Sequence, residues 1–239
     1  MMRHLSRVIR RRVGPVAGAG VLLAGGIGAG VLAGAGAAQA ASCSGAVAAG
    51  TTCTDTGTLT FSAGTLALTS PTALAWAGTD TGLNQLLVDT TTAQQSYIVD
   101  DATGSGAGWN VTVSATTFTS TTPVATLPNT GAFATNGSLT LTGGALTTTA
   151  PTAACTGTNT CTLPSNVLAG SYPIIMNTLV SSPTVYKIYD DSATFGLGSI
   201  TIGLPGANAV GWWVAVPANA VPSTSGYTST VTLEVVSGP

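Results

Sequence analysis

The sequence predicts an all-β fold, an Ig-like or Greek-key sandwich of short antiparallel strands with long polar loops. Three observations predict it. Helix-favouring Glu, Lys, Arg and Gln are scarce whereas Thr and Val abound. Apolar residues alternate with hydroxyl residues, the period-two pattern of half-buried strands. Gly or Pro interrupts the chain about every ten residues, so the strands are short and the turns many.

Ahead of the strands, residues 1–40 read as a signal peptide. Arg3, His4, Arg7, Arg10, Arg11 and Arg12 precede an uncharged Gly/Ala/Val/Leu run over residues 13–37, and Ala38-Gln39-Ala40 offers a small-x-small cleavage site. An uncleaved anchor is the competing reading. Nine of the run's 25 residues are glycine and it ends in a cleavage site, so no stable membrane insertion is expected after processing. Arg10-Arg11-Arg12 also fits a twin-arginine signal, but the residues after it add nothing, and general secretion is preferred. Gln39-Ala40-Ala41-Ser42 lacks the aliphatic residue expected upstream of a lipoprotein cysteine at Cys43. Residues 41–239 are expected to form a single secreted domain, because about 200 residues can bury one substantial core.

Within that domain, clear alternating segments are Thr58-Leu59-Thr60-Phe61-Ser62, then Trp109-Asn110-Val111-Thr112-Val113-Ser114, Ser199-Ile200-Thr201-Ile202 and Thr230-Val231-Thr232-Leu233-Glu234-Val235. Ser138-Leu139-Thr140-Leu141 leads through Gly143-Gly144 into Ala145-Leu146-Thr147, which reads as a hairpin. Residues 116–136 and 147–165 read as long polar loops. Trp76, set among Ala and Leu, is expected in the core. One internal echo stands out: Ile98-Val99-Asp100-Asp101 is followed by Gly106 and Gly108, and Ile188-Tyr189-Asp190-Asp191 by Gly196 and Gly198 at the same offsets. It is too short to establish a duplication, and two strands ending in similar acidic turns account for it.

Charge and cysteine usage narrow the chemistry. From residue 41 onward Lys187 is the one base against Asp55, Asp80, Asp89, Asp100, Asp101, Asp190, Asp191 and Glu234, a formal charge of −7. Nucleic acid is therefore not expected as a partner, since phosphate backbones need clustered Lys or Arg, and anionic lipid surfaces are disfavoured for the same reason. Cys43 with Cys53, and Cys155 with Cys161, are spaced as two local disulfides in an exported chain, although four cysteines permit three pairings. No histidine follows the leader, so zinc-type sites and histidine-activated nucleophiles are not expected, and neither a cofactor nor enzymatic activity is anticipated. Asp100-Asp101 and Asp190-Asp191 are read first as solvated turns, with a calcium site as the alternative and a glycosidase pair behind it.

The tryptophans carry the binding hypothesis. Trp109, Val111 and Val113 share one strand face and read most simply as core, with glycan contact as the lesser reading for Trp109. Trp212-Trp213 differs, because adjacent strand residues point to opposite faces and both cannot enter the same core. One indole is thus expected on the surface or between sheets, either as a platform for the apolar face of a sugar or packed at a sheet edge or subunit interface. Leu127-Pro128-Asn129-Thr130-Gly131 spells a sortase pentapeptide, but no hydrophobic span and basic tail follow closely, so a turn is expected.

Gly108-Trp109-Asn110-Val111-Thr112-Val113-Ser114, with Val216-Pro217-Ala218-Asn219-Ala220 and Tyr227-Thr228-Ser229-Thr230-Val231-Thr232-Leu233 downstream, resembles the WxL family of Gram-positive surface proteins. The resemblance covers about residues 97–239. The first signature reads Trp109-Asn110-Val111, with Val in place of Leu, and the second reads Leu233-Glu234-Val235, without tryptophan. Membership implies non-covalent attachment to peptidoglycan through the C-terminal region.

Two function classes remain. One is a secreted, cell-wall-associated protein that binds peptidoglycan or another wall glycan. The other is a structural surface subunit that assembles through strand edges with itself or with other surface proteins, as a neutral Thr/Val-rich surface favours.

Overall fold

A computed structural model describes residues 58–130, 133–136, 149–203 and 208–239 of the 239-residue chain, with backbone alone over 133–136. Two units divide the chain, Met1–Thr60 and Phe61–Pro239; of the first only residues 58–60 are described. The second is an all-β sandwich of open antiparallel sheets. Its strands are β1 Leu66–Thr69, β2 Gln85–Val88, β3 Tyr97–Asp101, β4 Trp109–Ala115, β5 Thr119–Thr121, β6 Val124–Thr126, β7 Phe133–Asn136, β8 Ala153–Cys155, β9 Ile174–Met176, β10 Tyr186–Asp191, β11 Gly198–Ile202, β12 Gly211–Val216 and β13 Val231–Ser237. A single 3-10 turn, Thr92–Gln94, is the only helical element among the described residues.

The sheets run β1-β3-β11-β8, β10-β4-β13 and β2-β12-β7-β9, with β5-β6 as a separate hairpin. The chain crosses from the first sheet to the second between Asp101 and Trp109, and returns between Asp191 and Gly198. β3 pairs with β11 and β4 with β10, so each crossing strand finds its partner in the other crossing. These two β-arches interlock, and they are the two halves of the acidic echo. Gly198 stands opposite Asp101 and Trp109 opposite Asp191. The two loops touch directly, Thr194 N–H donating to Gly106 O at 2.9 Å.

Alternation fills the space between the arches. Tyr97, Val99 and Asp101 turn inward from β3, Ile200 and Ile202 from β11, and Trp109, Val111 and Val113 from β4, all buried. Each such Val or Ile side chain contributes about 1.5–3 kcal/mol by leaving water. Trp109 stacks on Tyr189 with ring centroids 5.6 Å apart, and its Nε1–H donates to Gly196 O at 2.9 Å, so its one polar atom is satisfied in the interior. The core-stripe reading of Trp109, Val111 and Val113 therefore holds.

Three expected strands, at 109–114, 199–202 and 230–235, lie within β4, β11 and β13 apart from Thr230, which precedes β13. Residues 58–62 differ: the alternation is present, yet no strand forms, and Leu59 and Phe61 are 90% and 91% exposed. The expected loop at 116–136 contains β5, β6 and β7, and that at 147–165 contains β8, because Thr-rich segments too polar to read as strands are held by their partners' backbone bonds. Cys155 and Cys161 form a disulfide. Cys43, Cys53 and the expected hairpin at 138–147 lie outside the described residues.

Candidate functional site

A groove of about 510 Å³ opens beside β2 and β12. Trp76 and Phe118 form its aromatic floor, meeting edge to face with centroids 5.6 Å apart at 83°. Tyr227 and Val221 close one side, and Asp80, Gln85 and Ser223 give the lining its polar character. A second hollow of about 250 Å³ adjoins it and shares Leu127, Ala220, Val221 and Tyr227, so Tyr227 stands between two lobes. Among the described residues Asp80 is the one charged residue lining either lobe.

Local chemistry holds these groups in place. Trp76 Nε1–H donates to Trp212 O at 3.0 Å, which fixes the indole over β12. Asp89, 1% exposed, accepts from Ala75 N–H at 2.9 Å and from Thr91 N–H at 2.8 Å, and so ties the irregular segment that carries Trp76 to the end of β2. Its carboxylate is thereby satisfied by two backbone donors. Tyr227 Oη–H donates to Val221 O at 2.8 Å, bracing one loop against itself. Gln85 Nε2 donates to Thr79 O at 3.0 Å, and Asp80 accepts from Gly82 N–H at 2.8 Å.

The expected glycan contacts lie elsewhere. Trp212 and Trp213 point to opposite faces of β12, as alternation demands, but both are fully buried. β12 is an inner strand paired with β2 and β7, and both of its faces are covered at these positions. Trp212 Nε1–H donates to Gln94 O at 2.9 Å within the core. Neither indole, nor Trp109, is a surface platform.

The four aspartates of the acidic pairs have different partners. Asp101 Oδ1 accepts from Thr103 N–H at 2.9 Å and Thr103 Oγ1–H at 2.7 Å, a local turn. Asp190 pairs with Lys187 at 3.2 Å. Asp191 Oδ1 accepts from Ser165 N–H at 2.7 Å, while its Oδ2 and Asp190 Oδ1 are buried without a hydrogen-bond partner. Burial, opposed by the Ser165 amide and reinforced by Asp101 and Asp190, pushes the Asp191 carboxyl from 3.8 up to about 6. Burial likewise lifts Tyr172 to about 12 and raises Tyr97 and Tyr189. Among the described residues, Asp100, Asp101, Asp190 and Asp191 included, no group of three or more His, Cys, Asp or Glu side chains is placed to hold a metal ion. The expectation of solvated turns fails for Asp101, Asp190 and Asp191, all three of which are buried.

Of the groove's aromatic residues, sequence reading placed Trp76 in the core and did not single out Phe118. Tyr227 was visible only inside the C-terminal stretch that carries the WxL resemblance. The two signature segments, Trp109-Asn110-Val111 and Leu233-Glu234-Val235, lie side by side: Val235 stands opposite Val111 and Ser237 opposite Trp109 in the β4–β13 pair. No protein-family model, curated protein or solved structure matches this chain.

Proposed function

We propose that this protein is exported and binds a neutral cell-wall glycan, peptidoglycan being the first candidate, without catalysing a reaction. The observation that carries the reading is the two-lobed groove with half-buried Trp76 on its floor, backed edge to face by buried Phe118, and half-buried Tyr227 between its lobes. Aromatic faces offer apolar contact to the C–H faces of sugar rings, and the hydroxyl and amide groups of Ser223, Thr79 and Gln85 suit a ligand rich in hydroxyls. Two adjoining lobes suit consecutive sugar units. A lining with one carboxylate and no base disfavours polyanionic polymers. The cationic leader and the surface composition support export and an envelope location.

Co-sedimentation with purified peptidoglycan tests the proposal. The wild-type protein is expected in the pellet, and Tyr227→Ala, with its folding checked by circular dichroism, to weaken retention about tenfold, the equivalent of about 1.4 kcal/mol. Wild-type protein left in the supernatant, or Tyr227→Ala retained like wild type, would sink the assignment.

A further inference from the structure

Among the described residues no strand pairs with the far edge of β13, which lies close to β1 of the facing sheet. Thr116 N–H donates to Thr230 O and Gly238 N–H to Gly108 O, which sets the phase of the β4–β13 ladder. In an antiparallel pair the hydrogen-bonded positions alternate, so the even-numbered residues of β13 bond to β4 and the backbone groups of Val231, Leu233, Val235 and Ser237 point away from the sheet. Those outward groups have no backbone partner among the described residues. At seven residues β13 is as long as any strand, and Glu234 is its only charge. Natural edges are blunted by brevity, charge, proline or a covering loop. β1, the edge of the facing sheet, is blunted by its four-residue length, and β10 by the backbone of Asn166 and Val167 bonding along it. β13 has neither protection.

The side chains along this edge are also unfinished. Val231, Leu233 and Val235 face the core yet are only half-buried, because the sheet stops beside them. The same chain carries a segment with the complementary defect. Residues 58–62 alternate Leu59 and Phe61 with Thr58, Thr60 and Ser62, the pattern of a half-buried strand, yet both apolar side chains are about nine-tenths exposed. The segment carries no charge, so the only fixed charge at such a junction is Glu234, on the outer face.

We infer that the protein assembles with further copies of itself by strand addition, residues 58–62 of one copy pairing with the free edge of β13 in the next. Backbone bonds to the outward amides supply affinity, and Leu59 and Phe61 cover Leu233 and Val235 on the inner face. Each copy then carries one donor and one acceptor, a head-to-tail arrangement that grows into open assemblies unless a ring closes. The inference does not depend on glycan binding and concerns a different surface.

Sedimentation velocity of the purified protein, without any glycan, provides the test. Wild type is expected to show a sedimentation coefficient that rises with protein concentration. The donor-blocked variant Leu59→Asp/Phe61→Asp alters only exposed side chains and is expected to remain monomeric. The acceptor is blocked by Val235→Pro, which removes an outward amide while sparing the ladder to β4; Ser237→Pro does the same at an exposed position should Val235→Pro not fold. An equimolar mixture of donor-blocked and acceptor-blocked proteins retains one intact junction and should form a dimer that grows no further. Wild type monomeric throughout the micromolar range, a blocked variant assembling like wild type, or a mixture that stays monomeric would each overturn the inference.

Discussion

The two interlocked arches are near-copies in sequence, and both bury their second aspartate, but they hold it differently. Both leave a strand through Asp-Asp and both place glycines with positive φ five and seven residues after the second aspartate: Gly106 at 63° and Gly108 at 77°, Gly196 at 66° and Gly198 at 96°. In the first arch Asp101 is hydrogen-bonded to Thr103 two residues away, and a side chain at Gly106 would meet nothing closer than Thr194 Cα at 3.9 Å. In the second, Asp191 reaches 26 residues back to Ser165, and a Cβ at Gly196 would collide with Asp191 Oδ2 and stand 2.5 Å from Trp109 Nε1. In one arch the buried aspartate is held within its own turn. The other is the packed centre where Trp109, Tyr189 and Asp191 meet. Equivalent residues thus carry very different shares of the stability, and four measurements bear on that difference.

Gly196→Ala is expected to have the largest effect. It combines the cost of left-handed backbone for an L side chain with a steric overlap that neither Asp191 nor Trp109 can relieve without losing a bond, a total of about 4 kcal/mol. Urea unfolding would read it as a lowered midpoint, and a loss below about 1 kcal/mol would remove the contrast between the arches.

A second expectation concerns pH. The folded-state pKa of Asp191 lies above its ordinary 3.8, at about 6, so the folded protein holds this proton more tightly than the unfolded chain does. Ionisation above about pH 6 therefore costs stability, and that cost is relieved as pH falls from 7 toward 4, by about 3 kcal/mol at most. Asp191→Asn should flatten the stability profile across that window. An equally steep profile in the variant would assign the slope to other groups.

Trp109→Phe keeps most of the ring in the core but removes the Nε1–H donor to Gly196 O, leaving a buried carbonyl unpaired, for a loss of about 2 kcal/mol. A loss within about 0.5 kcal/mol of zero would show that the carbonyl finds another donor. Smallest is Gly106→Ala, at about 1 kcal/mol, since only the backbone conformation opposes it. A cost matching that of Gly196→Ala would mean that the two arches are equally packed.

Where local pattern sufficed, the sequence was readable. Trp109-Asn110-Val111-Thr112-Val113 gave its strand and its buried face because alternation along one strand is a property of consecutive residues. Cys155 and Cys161 could be paired by proximity. The acidic echo marked two equivalent crossings between sheets, although its brevity concealed that they interlock. Trp212-Trp213 misled for a definite reason: alternation fixes that the two indoles point apart, but whether each face is covered depends on β2, β7 and what lies above them. Leu59 and Phe61 misled in the opposite direction, with a strand pattern and no sheet beside it. The groove was hardest to read, since Trp76, Phe118 and Tyr227 come from three distant segments.

By itself, then, the sequence determined the all-β class, several strand faces, the second disulfide and the paucity of acid–base groups, because each follows from residue type and spacing along a single stretch of chain. Only the tertiary structure decided which tryptophans are hidden, which of two matching aspartates keeps an oxygen without a hydrogen-bond partner and which strand edge is unpaired among the described residues. Those are questions of what covers a residue, and the covering atoms belong to segments as many as 136 residues away, as with Trp76 on Trp212.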